Sequence, residues 1–131
     1  MRFHHIGVAT SNINHTAKKF NLFGYEIVSE EIFDPIQNVY IAFMEKDGSP
    51  RVELVAPVNE NSPILNTINK NGKIPYHFCY EVDNIVEEVN KLKKLKFILI
   101  SKIVPAVAFE NRHVCFLYNK DAGLIELLKD R

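Results

Sequence analysis

The sequence lacks an excess of either charge: 16 Lys and Arg balance 16 Asp and Glu, for a formal net charge of +0. A chain without a net field offers no electrostatic reason to expect nucleic acid or an anionic membrane as its main partner. It also lacks a long apolar run, and a membrane-spanning helix needs about 20 consecutive apolar residues. Its first residues, Met1-Arg2-Phe3-His4-His5, do not have the form of a signal peptide. Cysteine is scarce as well. Cys79 and Cys115 lie in strand-like apolar stretches, which points to a reduced, cytoplasmic protein rather than a disulfide scaffold. No low-complexity tract or long linker interrupts the chain. What remains is an ordinary composition, 47% hydrophobic over 131 residues, enough for one domain with a real core.

The chain does contain a repeat. His5-Ile-Gly-Val-Ala-Thr-Ser-Asn-Ile13 recurs as His77-Phe-Cys-Tyr-Glu-Val-Asp-Asn-Ile85, an offset of 72 (77 − 5). Val52-Glu53-Leu54-Val55 recurs as Ile125-Glu126-Leu127-Leu128, an offset of 73 (126 − 53). Helical stripes follow the first motif in both copies. Ile13, Ala17 and Phe20 fall at i, i+4, i+7, and so do Ile85, Val89 and Leu92, which predicts two amphipathic helices. Ser11 or Asn12 can cap the first, Asp83 or Asn84 the second, and Gly24 stands where the first should end.

Strand-like segments follow each helix. In the first half they are 25–33, 39–45 and 51–57, separated by Asp34-Pro35 and Lys46-Asp47-Gly48-Ser49-Pro50. In the second half they are 97–104, 112–118 and 123–128. Ser62-Pro63-Ile64 starts a short connecting helix expected to end near Asn71-Gly72. The expected organisation is one domain over 1–131, with module one about 1–60, a linker helix about 62–72 and module two about 74–131. The fold class is α+β: two tandem βαβββ modules forming a curved mixed sheet with a concave metal-binding cleft.

Strand alternation assigns the faces. Ile6 and Val8 should face the helix layer, as should Phe78, Tyr80 and Val82. His5, Gly7 and Ala9 then face the other way, with His77, Cys79 and Glu81. Small residues beside each histidine leave space on that face. The same parity puts Glu53 and Glu126 opposite the core-facing Val52, Leu54, Ile125 and Leu127. Two imidazoles and two carboxylates on one face suit a divalent ion of intermediate hardness: Zn, Ni, Co, Mn or Fe. Such an ion can polarise a carbonyl, with a nearby carboxylate as base.

These segments, with Asn61-Ser-Pro-Ile64 and Gly123-Leu-Ile-Glu-Leu127, resemble the vicinal oxygen chelate superfamily, which includes glyoxalase I, bleomycin-resistance proteins and dioxygenases. Within it the pattern is most similar to the methylmalonyl-CoA epimerases, over nearly the whole chain. The resemblance implies His5, Glu53, His77 and Glu126 as metal ligands, and Glu126 as the residue that moves a proton. Tyr40 stands where some epimerases carry an opposing acidic base, and it is assigned to substrate binding. The implied activity is a metal-dependent isomerase or lyase that removes a proton beside a thioester carbonyl of an acyl-CoA. The alternatives are glyoxalase-I-like isomerisation of a glutathione hemithioacetal and a non-catalytic binding or resistance protein. The implied partners are a small-molecule substrate and a second copy of the chain in a homodimer.

Plainer roles are expected for other polar residues. His4, His15 and His113 have no repeat counterpart and read as surface or structural. Arg51 and Arg112 could hold a substrate carboxylate or phosphate, with surface charge as the simpler assignment. Glu81 reads as a solvated strand end, Lys91–Lys96 as a solvated helix face, and Cys79 as a small apolar filler.

Overall fold

In the computed structural model, which describes residues 1–71 and 75–131, the sequence repeat is a repeat of local structure. Helices α1 (Ile13–Leu22) and α3 (Ile85–Lys94) each open on an asparagine. Asn12 accepts from the His15 amide at 3.0 Å and Asn84 from the Glu87 amide at 3.1 Å. Each satisfies one of the amides that a helix start leaves without a partner. Of the alternatives in the sequence, asparagine is the cap in both copies. Glu87 and Glu88 in the first turn of α3, and Lys91, Lys93 and Lys94 in its last, complement the helix dipole.

Both helices also end alike. Amides of Phe23, Gly24 and Tyr25 return to carbonyls of Phe20, Asn21 and Phe20, and those of Leu95, Lys96 and Phe97 return to Leu92, Lys93 and Leu92. This closure needs a left-handed residue. Gly24 takes it at φ +94°, and Lys96, 72 residues on, takes it at φ +69°.

The chain divides into two compact units, His5–Tyr76 and Met1–His4 with His77–Arg131. The first contains β1 (Arg2–Ala9) from His5 onward, α1, β2 (Glu26–Ile27), β3 (Ile32–Asp34), β4 (Val39–Glu45), β5 (Val52–Pro57) and α2 (Ile64–Asn71). Its strands run β2-β4-β5-β1, with β3 also on β4. β1 is parallel to β5, and β4 is antiparallel to β5. The second unit contains β6 (Pro75–Val82) from His77 onward, α3, β7 (Ile98–Leu99), β8 (Val104–Ala106), a 3-10 turn (Val107–Phe109), β9 (Arg112–Asn119) and β10 (Gly123–Lys129). Its order is β6-β10-β9-β7, with β8 also on β9; β10 is parallel to β6 and antiparallel to β9. The expected α+β class and the βαβββ order of each module hold.

Three expectations change in detail. The single strands expected over 25–33 and 97–104 are each split in two. Ser29 Oγ accepts from the Phe43 amide at 2.9 Å, and Ser101 Oγ accepts from the Phe116 amide at 2.8 Å. In both copies a serine side chain takes the place of a ladder carbonyl, so regular pairing stops there. Met1–His4 group with the second unit rather than module one. Arg2 pairs with Asp83 and Asp130, Phe3 sets its ring against Phe78 and Tyr80, and His4 sets its ring against Phe109. α2 begins as expected after Ser62-Pro63, and the Ser62 hydroxyl accepts from the Val58 and Asn59 amides. Gly72, near its expected end, and the expected start of module two at 74 lie outside the described residues.

Each unit has its own core. In the first, Val8, Ile13, Ala17, Ala42, Met44 and Leu54 pack together, with Ile6 against them. In the second, Val82, Ile85, Val89, Leu92, Leu117 and Leu127 do so, with Tyr80 against them. Leu54 and Leu127 are fully buried, each worth about 1.5–3 kcal/mol of apolar transfer. The expected helix-facing residues are confirmed except Phe78, which is 46% exposed. A 10-residue helix spans about 15 Å and an 8-residue strand about 26 Å, so α3 covers Tyr80 and Val82 and leaves Phe78 to the Phe3 ring. No helix among the described residues is long and apolar enough to cross a membrane.

Candidate metal centre

The parallel pairing of β1 with β5 sets Gly7 opposite Glu53. His5 precedes Gly7 by two and shares its face. The Glu53 carboxylate approaches the imidazole on that face, and Nε2 to Oε1 is 3.4 Å. The second unit repeats the device. β6 and β10 set Cys79 opposite Glu126, His77 precedes Cys79 by two, and Nε2 to Oε1 is 3.6 Å. All four side chains are buried. Glu53 does not face water on an edge strand: β5 lies between β4 and β1.

Each pair has a phenylalanine beside it. Phe43 is opposite Glu53 across β4 and β5, and Phe116 is opposite Glu126 across β9 and β10. The rings meet His5 and His77 edge to face, at 6.2 Å and 5.2 Å between centroids. Neither phenylalanine is among the site residues expected from the sequence. The signal was there, since each phenylalanine precedes its glutamate by ten (53 − 43 and 126 − 116). An apolar ring excludes water from one side of each pair, where an uncompensated carboxylate would be costly.

The donor chemistry and spacing fit a divalent cation. Two donors each about 2.1 Å from one ion stand about 3.0 Å apart in octahedral and about 3.4 Å apart in tetrahedral coordination. The spacing within each pair, 3.4 and 3.6 Å, is near this range and longer than a charge-assisted hydrogen bond of about 2.7–2.9 Å.

Tyr40 is not brought to the His5–Glu53 pair. The β4–β5 register pairs Phe43 with Glu53 and Tyr40 with Ala56. Tyr40 therefore lies on the opposite face, packed against the core of Ala42, Met44 and Ala56. Tyr40 is thus not beside this pair; the residues of β4 on the Glu53 face are Val39, Ile41 and Phe43.

The remaining polar residues sort clearly. Arg112 is structural: its Nη1 meets Glu81 at 2.9 Å and the Lys129 carbonyl at 3.2 Å, and its Nε donates to the Phe109 carbonyl at 3.3 Å. Glu81 is thus an ion-pair partner rather than a solvated strand end. His15, His113 and the lysines at 91, 93, 94 and 96 are exposed. Neither cysteine is in a disulfide, and both are buried. Burial first, and the Glu126 charge second, push the Cys115 thiol up to about 12. It stays protonated at neutral pH, and Cys115 belongs to the helix-side core.

The model of the glyoxalase/bleomycin resistance protein/dioxygenase superfamily matches residues 4–116. The mitochondrial methylmalonyl-CoA epimerase of Homo sapiens is 34% identical over 131 aligned residues, covering 96% of this chain and 72% of that protein. A hypothetical protein of Bacillus halodurans has a solved structure with TM-score 0.86 and 27% identity, covering 99% of this chain and 94% of that one. A methylmalonyl-CoA epimerase variant of Streptomyces coelicolor, in complex with 2-nitronate-propionyl-CoA, has TM-score 0.81 at 21% identity, covering 99% and 94%. That likeness shows a shared fold. Both the matched family and the duplicated His–Glu architecture extend over nearly all of the sequence, and the chain belongs to the glyoxalase/bleomycin resistance protein/dioxygenase superfamily.

Proposed function

We propose that this chain is a metal-dependent epimerase of a 2-carboxyacyl thioester, with methylmalonyl-CoA as the first candidate substrate. His5, Glu53, His77 and Glu126 would together hold one divalent ion of the Zn, Ni, Co, Mn or Fe class. The observation that carries the reading is the pair of repeat-equivalent, buried His–Glu pairs in a chain 34% identical to a methylmalonyl-CoA epimerase. A bound ion would supply Lewis-acid polarisation of the carbonyl beside the reacting carbon.

The protein's own groups move the proton. Glu126 is the carboxylate that takes the C2 proton, and it becomes a carboxylic acid as the C–H electron pair passes into the enolate of the substrate. A second acid then gives a proton to the opposite face of C2, which inverts the centre. With Tyr40 on the helix side, Glu53 is the remaining named candidate for that role; it would enter the step as the carboxylic acid and regain its proton from solvent, as Glu126 gives its own up, before the next turnover.

The proposal takes 1–131 as one domain, active as a cytoplasmic homodimer. Two cysteines outside any disulfide favour a reducing compartment, and light scattering checks the dimer. Hemithioacetal isomerisation would use the same ligands, but the epimerase relatives give it no support. The test is solvent deuterium entry at C2 of methylmalonyl-CoA, followed by NMR with metal-loaded protein. The wild type is expected to exchange, and Glu126→Gln to slow exchange at least about hundredfold. Absence of exchange with folded, metal-loaded wild type would reject this substrate.

A further inference from the structure

Two arginines rest against phenylalanine rings, and only one is fully engaged. The Arg112 guanidinium lies 5.9 Å from the Phe109 centroid, and its donors meet Glu81 and two carbonyls. The Arg51 guanidinium lies 4.6 Å from the Phe43 centroid. Its Nε is buried and makes no hydrogen bond among the described residues. The carboxylate paired with it, Glu45, is 3.8 Å away, and its side chain is 47% exposed. That is well beyond a charge-assisted hydrogen bond of about 2.7–2.9 Å. The guanidinium fork is held by the ring and left without a bidentate oxygen partner.

The position of Arg51 is equally specific. It stands directly before the first residue of β5 and two before Glu53, and its guanidinium lies over Phe43, the residue opposite Glu53. Its carbonyl accepts from the Ile6 amide at 2.9 Å, which continues the β1–β5 ladder and fixes the backbone. Phe43 is in contact with both Arg51 and His5. The side chain is 35% exposed although its Nε is buried, so a solute meets the guanidinium at its terminal nitrogens. The fold does not require a cation here: 73 residues on (124 − 51), the second unit carries Leu124. This breaks the symmetry that relates the histidines, glutamates and phenylalanines of the two units.

We propose that Arg51 is an oxyanion anchor that grips a carboxylate or phosphate group of the substrate beside the His5–Glu53 pair. The inference deepens the thioester reading and takes its choice of probes from it. A planar fork suits a two-oxygen anion, and stacking on Phe43 restricts the guanidinium before the anion arrives. The two sources of such an anion are the acid end of the acyl group and the phosphates of its carrier.

The test reads the arginine Nε–H resonances of isotope-labelled wild type by NMR, with Arg51→Leu used to assign one of them. Leucine is chosen because Leu124 already occupies the equivalent place. Methylmalonate and inorganic phosphate are titrated separately. A shift of the Arg51 resonance with methylmalonate places the acyl carboxylate there; a shift with phosphate alone places the carrier there. Arg51→Leu is expected to weaken the responding anion at least about tenfold. Arg51→Lys, which keeps the charge without the fork, should recover part of it. No Arg51 shift with either anion, or unchanged binding in Arg51→Leu, overturns the inference. Its failure is distinct from failure of the epimerase reading. Deuterium exchange can persist with an unaltered KM in Arg51→Leu, which removes only the anchor. Anion binding can also be present where C2 exchange is absent, which removes only the substrate assignment.

Discussion

Lys96→Gly should make this protein more stable. Lys96 holds the left-handed residue that closes α3, at φ +69°. For a residue with a Cβ, that conformation costs about 1–2 kcal/mol. Glycine removes the strain but adds unfolded-state freedom worth about 0.4–1 kcal/mol. The net gain is about 0.5–1 kcal/mol, or about 2–4 °C in Tm for a domain of this size. Gly24 supplies the opposing control. Its φ is +94°, and a Cβ there would stand 3.1 Å from Lys46 Cε. Lys46 Nζ donates to the Phe23 carbonyl at 2.6 Å, so Gly24→Ala both strains the turn and disturbs the α1 cap. It should lose about 1–2 kcal/mol. Urea unfolding followed by far-UV circular dichroism measures both. Loss of stability in Lys96→Gly, or a neutral Gly24→Ala, would refute the equivalence of the two helix ends.

Two further outcomes concern titration. The Cys115 thiol, pushed up to about 12 by burial and by Glu126, should resist iodoacetamide in the native protein at pH 8 and react once urea unfolds the chain; rapid native alkylation would contradict the buried assignment. Asp130 is held below its ordinary 3.8, chiefly by the hydrogen bond from Lys129, with smaller help from Asp83 and Arg2. Its folded value lies under its unfolded value, so its contribution is present above the ordinary value and is lost as pH falls through the lower one. Asp130→Asn should therefore show a shallower loss of urea resistance from about pH 4 downward than wild type. A steeper loss would reverse the sign.

The faces of β1, β5 and β10 were legible because alternation is strict within one strand. His5 and Glu53 could be set against Ile6, Val8, Val52 and Leu54 without knowing any partner. Tyr40 could not be placed the same way. Its face relative to Glu53 depends on register across the 46–50 turn, and a one-residue change in that turn reverses the face. The register that forms puts Phe43 beside Glu53. The grouping of Met1–His4 with the second unit has a related cause: Arg2 pairs with Asp83 and Asp130, and Phe3 packs on Phe78 and Tyr80, contacts that no local pattern announces. Ser29 and Ser101 look like strand interruptions only when the Phe43 and Phe116 amides that bind them are known. The repeat itself carried the rest. It holds for caps, helix ends, serines, phenylalanines and His–Glu pairs, and fails at Arg51 and Leu124, where the sequence alone favoured surface charge.

The two repeat-equivalent His–Glu pairs are proposed to serve a single divalent ion. Metal content per chain, measured on purified protein after loading and desalting, tests it most directly. The account predicts one ion per chain in the wild type, lost in both His5→Ala and Glu126→Ala although those residues belong to different repeats. Two ions per chain, with each variant losing only one, would contradict a shared centre, and a folded wild type that retains no ion under any loading would contradict the metal assignment itself.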